Sequence, residues 1–366
     1  MNAVNHLADQ PRARAAAALL RALKRLAGQL RARAIAFYGS FWFSTTETMR
    51  RWALAAVVVN AGITVTGAAV RVTGSGLGCP TWPRCTPDSF VPVRHDAHSA
   101  INMAIEFGNR LLTFLVLAVA AACVVAAVRL GRPDYGQRRP ALVRLAALQP
   151  LGVLAQALWG GLVVRTLLNP VTVSVHFLLS IGMIAAAFTL FARAGEGDAP
   201  PQRLVHRDIR TLGFVLTAAV FVLLIAGVVV TGTGPHSGDK AASRFGFDIQ
   251  SVAQLHTDVV WIVVGLTFAL LFSLHVTDSP GRARRAALVL LGVELAQGVV
   301  GYVQYFLAVP AFLVGVHVLG STLVWIATLR VVFLTRSRGP VATPVSGRSN
   351  RGELATNYAM RASNPA

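Results

Sequence analysis

Leu212-Gly-Phe-Val-Leu-Thr-Ala-Ala-Val-Phe-Val-Leu-Leu-Ile-Ala-Gly-Val-Val-Val230 runs for nineteen residues without a charge. A helix of that length rises about 28 Å, which matches the hydrocarbon thickness of a bilayer. Seven more stretches have the same character: Ala53–Val70, Met103–Val128, Ala141–Val163, Val171–Ala192, Ile249–Leu274, Ala286–Phe306 and Ala311–Phe333. Charged residues bracket nearly every one. The fold class expected is therefore an all-α membrane protein with eight transmembrane helices.

The rest of the composition agrees. Only 13% of the 366 residues are charged and 54% are hydrophobic, with a mean hydropathy of +0.58. A soluble domain carries about 25% charged residues. The formal net charge of +19 would by itself suggest nucleic acid, but the hydropathy excludes that reading. The charge follows topology instead. Of 34 Lys and Arg, 27 fall before the first span, after the last, in connections that an even span count puts on that same side, or (Arg144 and Arg330) at the span ends facing it. Six (Arg71, Arg84, Arg94, Arg165, Lys240 and Arg244) fall on the other side, and Arg110 lies within a span. By the positive-inside rule both termini are cytoplasmic, and the chain is expected as a multi-pass membrane protein.

The two halves repeat. Val70-Arg-Val-Thr-Gly-Ser-Gly76 matches Val228-Val-Val-Thr-Gly-Thr-Gly234 at an offset of 158 residues. Gln156-x-x-x-Gly160 matches Gln297-x-x-x-Gly301, and Val173-Ser-Val-His176 matches Val314-Gly-Val-His317, both at an offset of 141. Four spans per half in one orientation make a parallel repeat. The expected organisation is a basic segment over 1–51, a four-helix bundle over 52–194, a second over 195–335 and a disordered cytoplasmic tail over 336–366. Leu19, Leu23, Leu26 and Leu30 recur at helical spacing among basic residues, so the first segment reads either as an amphipathic helix on the inner leaflet or as a poorly ordered extension.

Nine histidines are present. His6, His206, His275, His95, His98 and His236 fall in or beside connections and read as solvated. His176, His256 and His317 lie within spans, each roughly 9 Å from the same face. An ionisable group in a span marks function by default. His256 and His317, on the second and fourth spans of the second bundle, suit the two axial positions of a haem. In the first bundle, the position equivalent to His256 is Asn109. Glu106 and Arg110 share its helix face, whereas the second bundle has Ala253 where Glu106 stands. One half thus reads as a cofactor site and the other as a reaction site. The other reading of Glu106–Arg110 is a buried structural ion pair. Glu294 and Asp258 are further acids within spans, expected to hydrogen bond between helices. Cys79 and Cys85, in a Pro/Gly-rich loop on the oxidising side, read either as a structural disulfide or as a redox-active pair. Cys123 reads as a packed apolar residue.

Arg71-Val-Thr-Gly-Ser-Gly-Leu-Gly-Cys-Pro-Thr-Trp-Pro-Arg-Cys85, Glu106-Phe-Gly-Asn-Arg110, Gln156-x-x-x-Gly-Gly161 and the paired Val-x-Val-His motifs resemble the haem A synthase family over residues 52–335. That resemblance implies haem b in the second bundle, with His256 and His317 as its ligands. It also implies haem O as substrate in the first bundle, its C8 methyl oxidised to the formyl of haem A. His176 would be a substrate-haem ligand, Glu106 the catalytic acid, and Cys79 with Cys85 the outer cysteine pair. Arg71 and Arg110 are candidate partners of haem propionates. The implied partners are a haem O-producing prenyltransferase, cytochrome oxidase assembly factors, an electron acceptor and a thiol–disulfide partner, with a homo-oligomer as an option. The family motif is Glu-x-x-His-Arg, so Asn109 is a departure from it. The competing reading is a di-haem b-type electron-transfer protein, which would call for two symmetric bis-histidine sites. A third, a transporter or haem chaperone, would call for Gly/Pro-broken spans.

Overall fold

The computed structural model describes residues 20–31, 44–93, 99–130 and 139–341. The expectations for residues 1–19 and for the tail beyond 341, and those for His6, His95 and His98, lie outside these. Residues 20–31 form a helix, α1, with Leu20, Leu23, Leu26 and Leu30 exposed. Eight long helices follow: α2 (Thr46–Val72), α3 (Ala100–Leu130), α4 (Pro140–Arg165), α5 (Pro170–Ala194), α6 (Arg207–Thr233), α7 (Ile249–Val276), α8 (Gly281–Phe306) and α9 (Ala311–Leu334). All eight are long and apolar enough to cross a membrane. Each contains one of the expected spans, and α2, α6 and α8 add a turn or more of polar residues at their amino-terminal ends.

The helix starts have chemical causes. Thr45 caps α2 by accepting from the Thr48 amide. Asp248 caps α7 by accepting from the Ser251 amide and hydroxyl, at 2.8 and 2.7 Å. Pro140 and Pro170 open α4 and α5, where a missing amide hydrogen costs nothing.

Contacts between helices close into two rings: α2–α3–α4–α5 and α6–α7–α8–α9. The rings meet along α2, α5, α6 and α9. At that seam the buried Trp325 of α9 donates its indole N–H to the carbonyl of Ile181 on α5, at 3.0 Å. Ile181 and Ile184 pack with Leu216, Val220, Leu270 and Leu290 of the second ring. Large apolar side chains such as Phe114, Leu158, Phe272 and Phe312 are exposed on the perimeter, the face a bilayer covers.

At the basic end a polar network ties the rings together. Asp198 pairs with Arg139 at 2.6 Å and with Arg193 at 3.2 Å. Glu196 pairs with Arg193 at 3.3 Å and with Arg336 at 3.1 Å. Gln202–Arg203 (β1) pairs antiparallel with Arg336–Ser337 (β2). The segment after α9 therefore starts as ordered chain held to the connection between the rings, where the sequence reading began a disordered tail. Arg336 finds a carboxylate and a strand partner there.

Candidate functional site

The three histidines within spans occupy repeated settings. His176 on α5 faces Gly160 on α4, and a methyl group placed at Gly160 would come within 3.4 Å of its Cε1. His317 on α9 faces Gly301 on α8 at the same 3.4 Å. His256 on α7 faces Gly227 on α6, again at 3.4 Å. Each ring lies where a side chain on the neighbouring helix would crowd it. One turn before each of the first two glycines, a glutamine holds the histidine backbone. Gln156 donates to the His176 carbonyl at 3.4 Å and to the Ser180 hydroxyl at 2.7 Å, and Gln297 donates to the His317 carbonyl at 2.7 Å. The repeated Gln-x-x-x-Gly motif thus has a physical reading: the glutamine fixes the histidine's backbone and the glycine clears space for its ring.

The second ring fits a bis-histidine haem. The His256 and His317 ring centroids are 6.4 Å apart. A first-row metal binds imidazole nitrogen at about 2.0–2.1 Å. Adding half of each ring, a metal between two imidazoles separates their centroids by roughly 6 Å. Nδ1 of both rings is buried without a hydrogen-bond partner, as is that of His176. A buried polar nitrogen left in this state is costly. No group of three or more metal-ligating side chains occurs among the described residues; two imidazoles at this spacing would suit the axial positions of a macrocycle that brings its own equatorial donors.

The first ring is different. Glu106 is buried on α3 and receives Arg110 Nε at 2.9 Å. The same guanidinium donates to the main-chain carbonyls of Cys79 (2.7 Å), Thr81 (2.9 Å) and Arg84 (3.3 Å). Cys79 and Cys85 are disulfide-bonded. Arg110 therefore ties the acid on α3 to the disulfide loop. Arg71 on α2 donates to the carbonyls of His236 (2.5 Å) and Thr231 (2.7 Å), across the seam in the second ring. Both arginines expected beside propionates thus also hold main chain at the disulfide end. Trp82 of the loop packs its indole over Gly161.

Asn109 has one side-chain partner, the Thr66 hydroxyl on α2, at 2.7 Å. Sequence reasoning had no route to this pair, whose members lie 43 residues apart on different helices. Glu294 does hydrogen bond between helices, accepting from Thr267 on α7 at 2.9 Å. Asp258 does not: it accepts from Gln254 one turn earlier on α7, at 2.7 Å. The expectation of an interhelical partner for Asp258 is corrected accordingly, since the i, i+4 spacing on one helix already provided one. Cys123 is buried and free, packed in the first ring as expected.

Eight membrane-spanning helices in two rings, with three intramembrane histidines set against glycines, define a multi-pass membrane protein suited to haem. The sequence profile of the COX15-CtaA family, described as cytochrome oxidase assembly protein, matches residues 50–329, and the chain belongs to that family. It is 33% identical over 145 residues to a heme A synthase of Geobacillus kaustophilus, covering 39% of this chain and 42% of that one. It is 33% identical over 107 residues to a heme A synthase of Geobacillus thermodenitrificans, covering 29% and 30%. A heme A synthase of Shewanella oneidensis is 25% identical over 182 residues, covering 45% and 50%. The chain spans half or less of the length of these curated relatives.

Proposed function

We propose that this protein is a haem A synthase: an oxidoreductase that converts the C8 methyl of haem O to the formyl group of haem A, for use by a cytochrome oxidase. The observation that carries this reading is the asymmetry of the two rings. The second presents two imidazoles at the spacing of an axial pair. The first presents one imidazole together with a buried carboxylate and an amide. Two equivalent electron-transfer sites would not need that difference.

In this reading His256 and His317 hold haem b, which when bound supplies one-electron transfer. His176 holds haem O as substrate. Gln156 and Gln297 fix the backbones of the ligand helices, and Gly160, Gly227 and Gly301 leave room for the rings. Glu106 places negative charge beside the substrate and takes a proton from the reacting carbon. Arg110 orients that carboxylate through its short ion pair. Two successive two-electron oxidations at the methyl carbon, with oxygen supplied by water, protons released to solvent and electrons passed to the electron acceptor this reading implies, would give a hydrated aldehyde that loses water to leave the formyl group. The disulfide loop, pinned by Arg110 and Trp82, covers this end of the ring.

Both termini are assigned to the cytoplasm of a bacterial plasma membrane, with the disulfide on the opposite side. The implied partners are an enzyme that makes haem O, assembly factors that receive haem A, an electron acceptor and a thiol–disulfide partner. Substituting Glu106→Gln keeps size and hydrogen-bonding capacity while removing the charge. Haem O is expected to accumulate while haem b stays bound, read by mass analysis of extracted pigment. Normal haem A output from this variant removes the role given to Glu106.

A further inference from the structure

The first ring departs from the second at the one position where symmetry asks for a second axial ligand. Asn109, in the tenth position of α3, stands about where His256, in the eighth position of α7, stands in the second ring. An imidazole places Nε2 two bonds beyond Cγ, whereas a carboxamide ends one bond beyond it, at Oδ1 and Nδ2. Asn109 is moreover engaged sideways. The Thr66 hydroxyl lies 2.7 Å from its Oδ1 and 3.2 Å from the Ile63 carbonyl of its own helix. A hydroxyl has one proton, and the shorter contact claims it. Oδ1 of Asn109 therefore has one of its two lone pairs engaged by Thr66, and a neutral amide oxygen is a weak axial ligand beside imidazole.

A second, independent departure accompanies the first. His256 rests against Gly227. The offset of 158 residues maps Gly227 onto Ala69 in α2. The first ring thus lacks both the imidazole and the glycine that makes room for one. Other polar side chains on α2 do not substitute. Asn60 donates to the carbonyl of Ala56, and Thr64 to that of Asn60, both at 2.8 Å. Met183, two turns along α5 from His176, is turned against Gly152 of α4. Glu106 is held by Arg110 at 2.9 Å.

Resting on the haem reading above, we infer that, among the described residues, the first ring holds its haem through His176 alone, and that the opposite face, bordered by Asn109 and Glu106, is open to a small exogenous ligand: water or a diatomic molecule. Asn109 and Glu106 lie three residues apart on one face of α3. With Oδ1 satisfied by Thr66, the amide N–H groups of Asn109 are left as donors, and a donor beside an open haem face favours a polar diatomic ligand. The bis-imidazole site of the second ring has no such opening.

The test is spectroscopic and does not use turnover. The full chain, purified in detergent and loaded with excess haem, is reduced and titrated with carbon monoxide. One carbon monoxide per chain is expected, with the second haem remaining six-coordinate and low-spin. Asn109→His should reduce the adduct at least tenfold and convert the high-spin haem to low-spin. Asn109→Ala should keep the adduct, with release several-fold faster because the donor is gone. The unchanged bands of the second haem report that each variant is folded. Two low-spin haems with no adduct in the unaltered chain overturn the inference, as does an adduct that survives Asn109→His at full stoichiometry. Pigment extracted from the chain as isolated, before any haem is added, separates this inference from the synthase reading. Haem b alone in both rings, with carbon monoxide on one of them, keeps the open face and discards the synthase.

Discussion

Arg110 is the side chain through which the acid of the first ring and the disulfide loop depend on each other. Replacing it with alanine removes a charged hydrogen bond to Glu106 and three donations to the carbonyls of Cys79, Thr81 and Arg84. Hydrogen bonds to charged groups contribute about 1.5–3 kcal/mol, and breaking a buried ion pair costs about 3–5 kcal/mol. The Arg110 side chain is 22% exposed and that of Glu106 10%, so solvent recovers part of this. The contacts also share one guanidinium and do not add. A cost of about 2–4 kcal/mol is expected, concentrated in the loop rather than spread over the helices. Hydrogen exchange across residues 79–90 should accelerate by roughly thirtyfold to several hundredfold, while exchange in α4 and α9 stays as it was. Arg110→Lys keeps the charge but loses the planar fork, and should fall between the two. Unchanged protection of the loop in Arg110→Ala would refute the clasp.

Two further outcomes follow from the geometry. Gly301→Leu puts a branched side chain where a methyl alone would already approach His317 Cε1 at 3.4 Å, so it should displace the ring and lose the haem of the second ring. The overpacking should cost about 1–3 kcal/mol. Gly292→Ala meets nothing within 4 Å and should keep that haem. Haem per chain measures both, and full occupancy in Gly301→Leu counts against the cradle. Asp248 lies outside the span, and the Ser251 side chain, then its amide, hold its carboxyl below the usual carboxylate range. A depressed folded-state value means that its cap stabilises α7 above the ordinary carboxylate value and is lost as pH falls through the folded one. The melting-temperature gap between the unaltered chain and Asp248→Ala should therefore narrow from neutral pH down to about pH 3. A gap that holds constant or widens contradicts it.

The helices were legible because each is a long, predominantly apolar run with few charges inside it. The readings fell short mainly where polar turns extend the helix, as at Thr46–Trp52 of α2 and Arg207–Thr211 of α6. Capping side chains and basic residues at the membrane surface make those turns without an apolar signal. The pairing of His256 with His317 was legible from equal depth and the repeat. What could not be read were bonds whose far partner is main chain. Arg71 and Arg110 reach carbonyls, and every residue has one. Thr66–Asn109 was hidden because the rotation of α2 against α3 follows from packing over the whole ring. Asp258–Gln254 could have been read from its spacing, and was missed by looking for its partner on another helix.

The polar network at the basic end bears on how such a chain is made. Glu196 sits just after the fourth helix, and its partner Arg336 just after the eighth. The strand Gln202–Arg203 likewise waits for Arg336–Ser337. None of these contacts can form until the last span has left the ribosome and entered the bilayer. During synthesis the first four helices are therefore complete while the lock beneath them is open. Closure requires the segment after the last helix to lie on the same side as the connection between the two rings, because an inverted last helix would carry Arg336 away from Glu196. In the order of synthesis, these salt bridges and strand contacts are among the last the described chain can make.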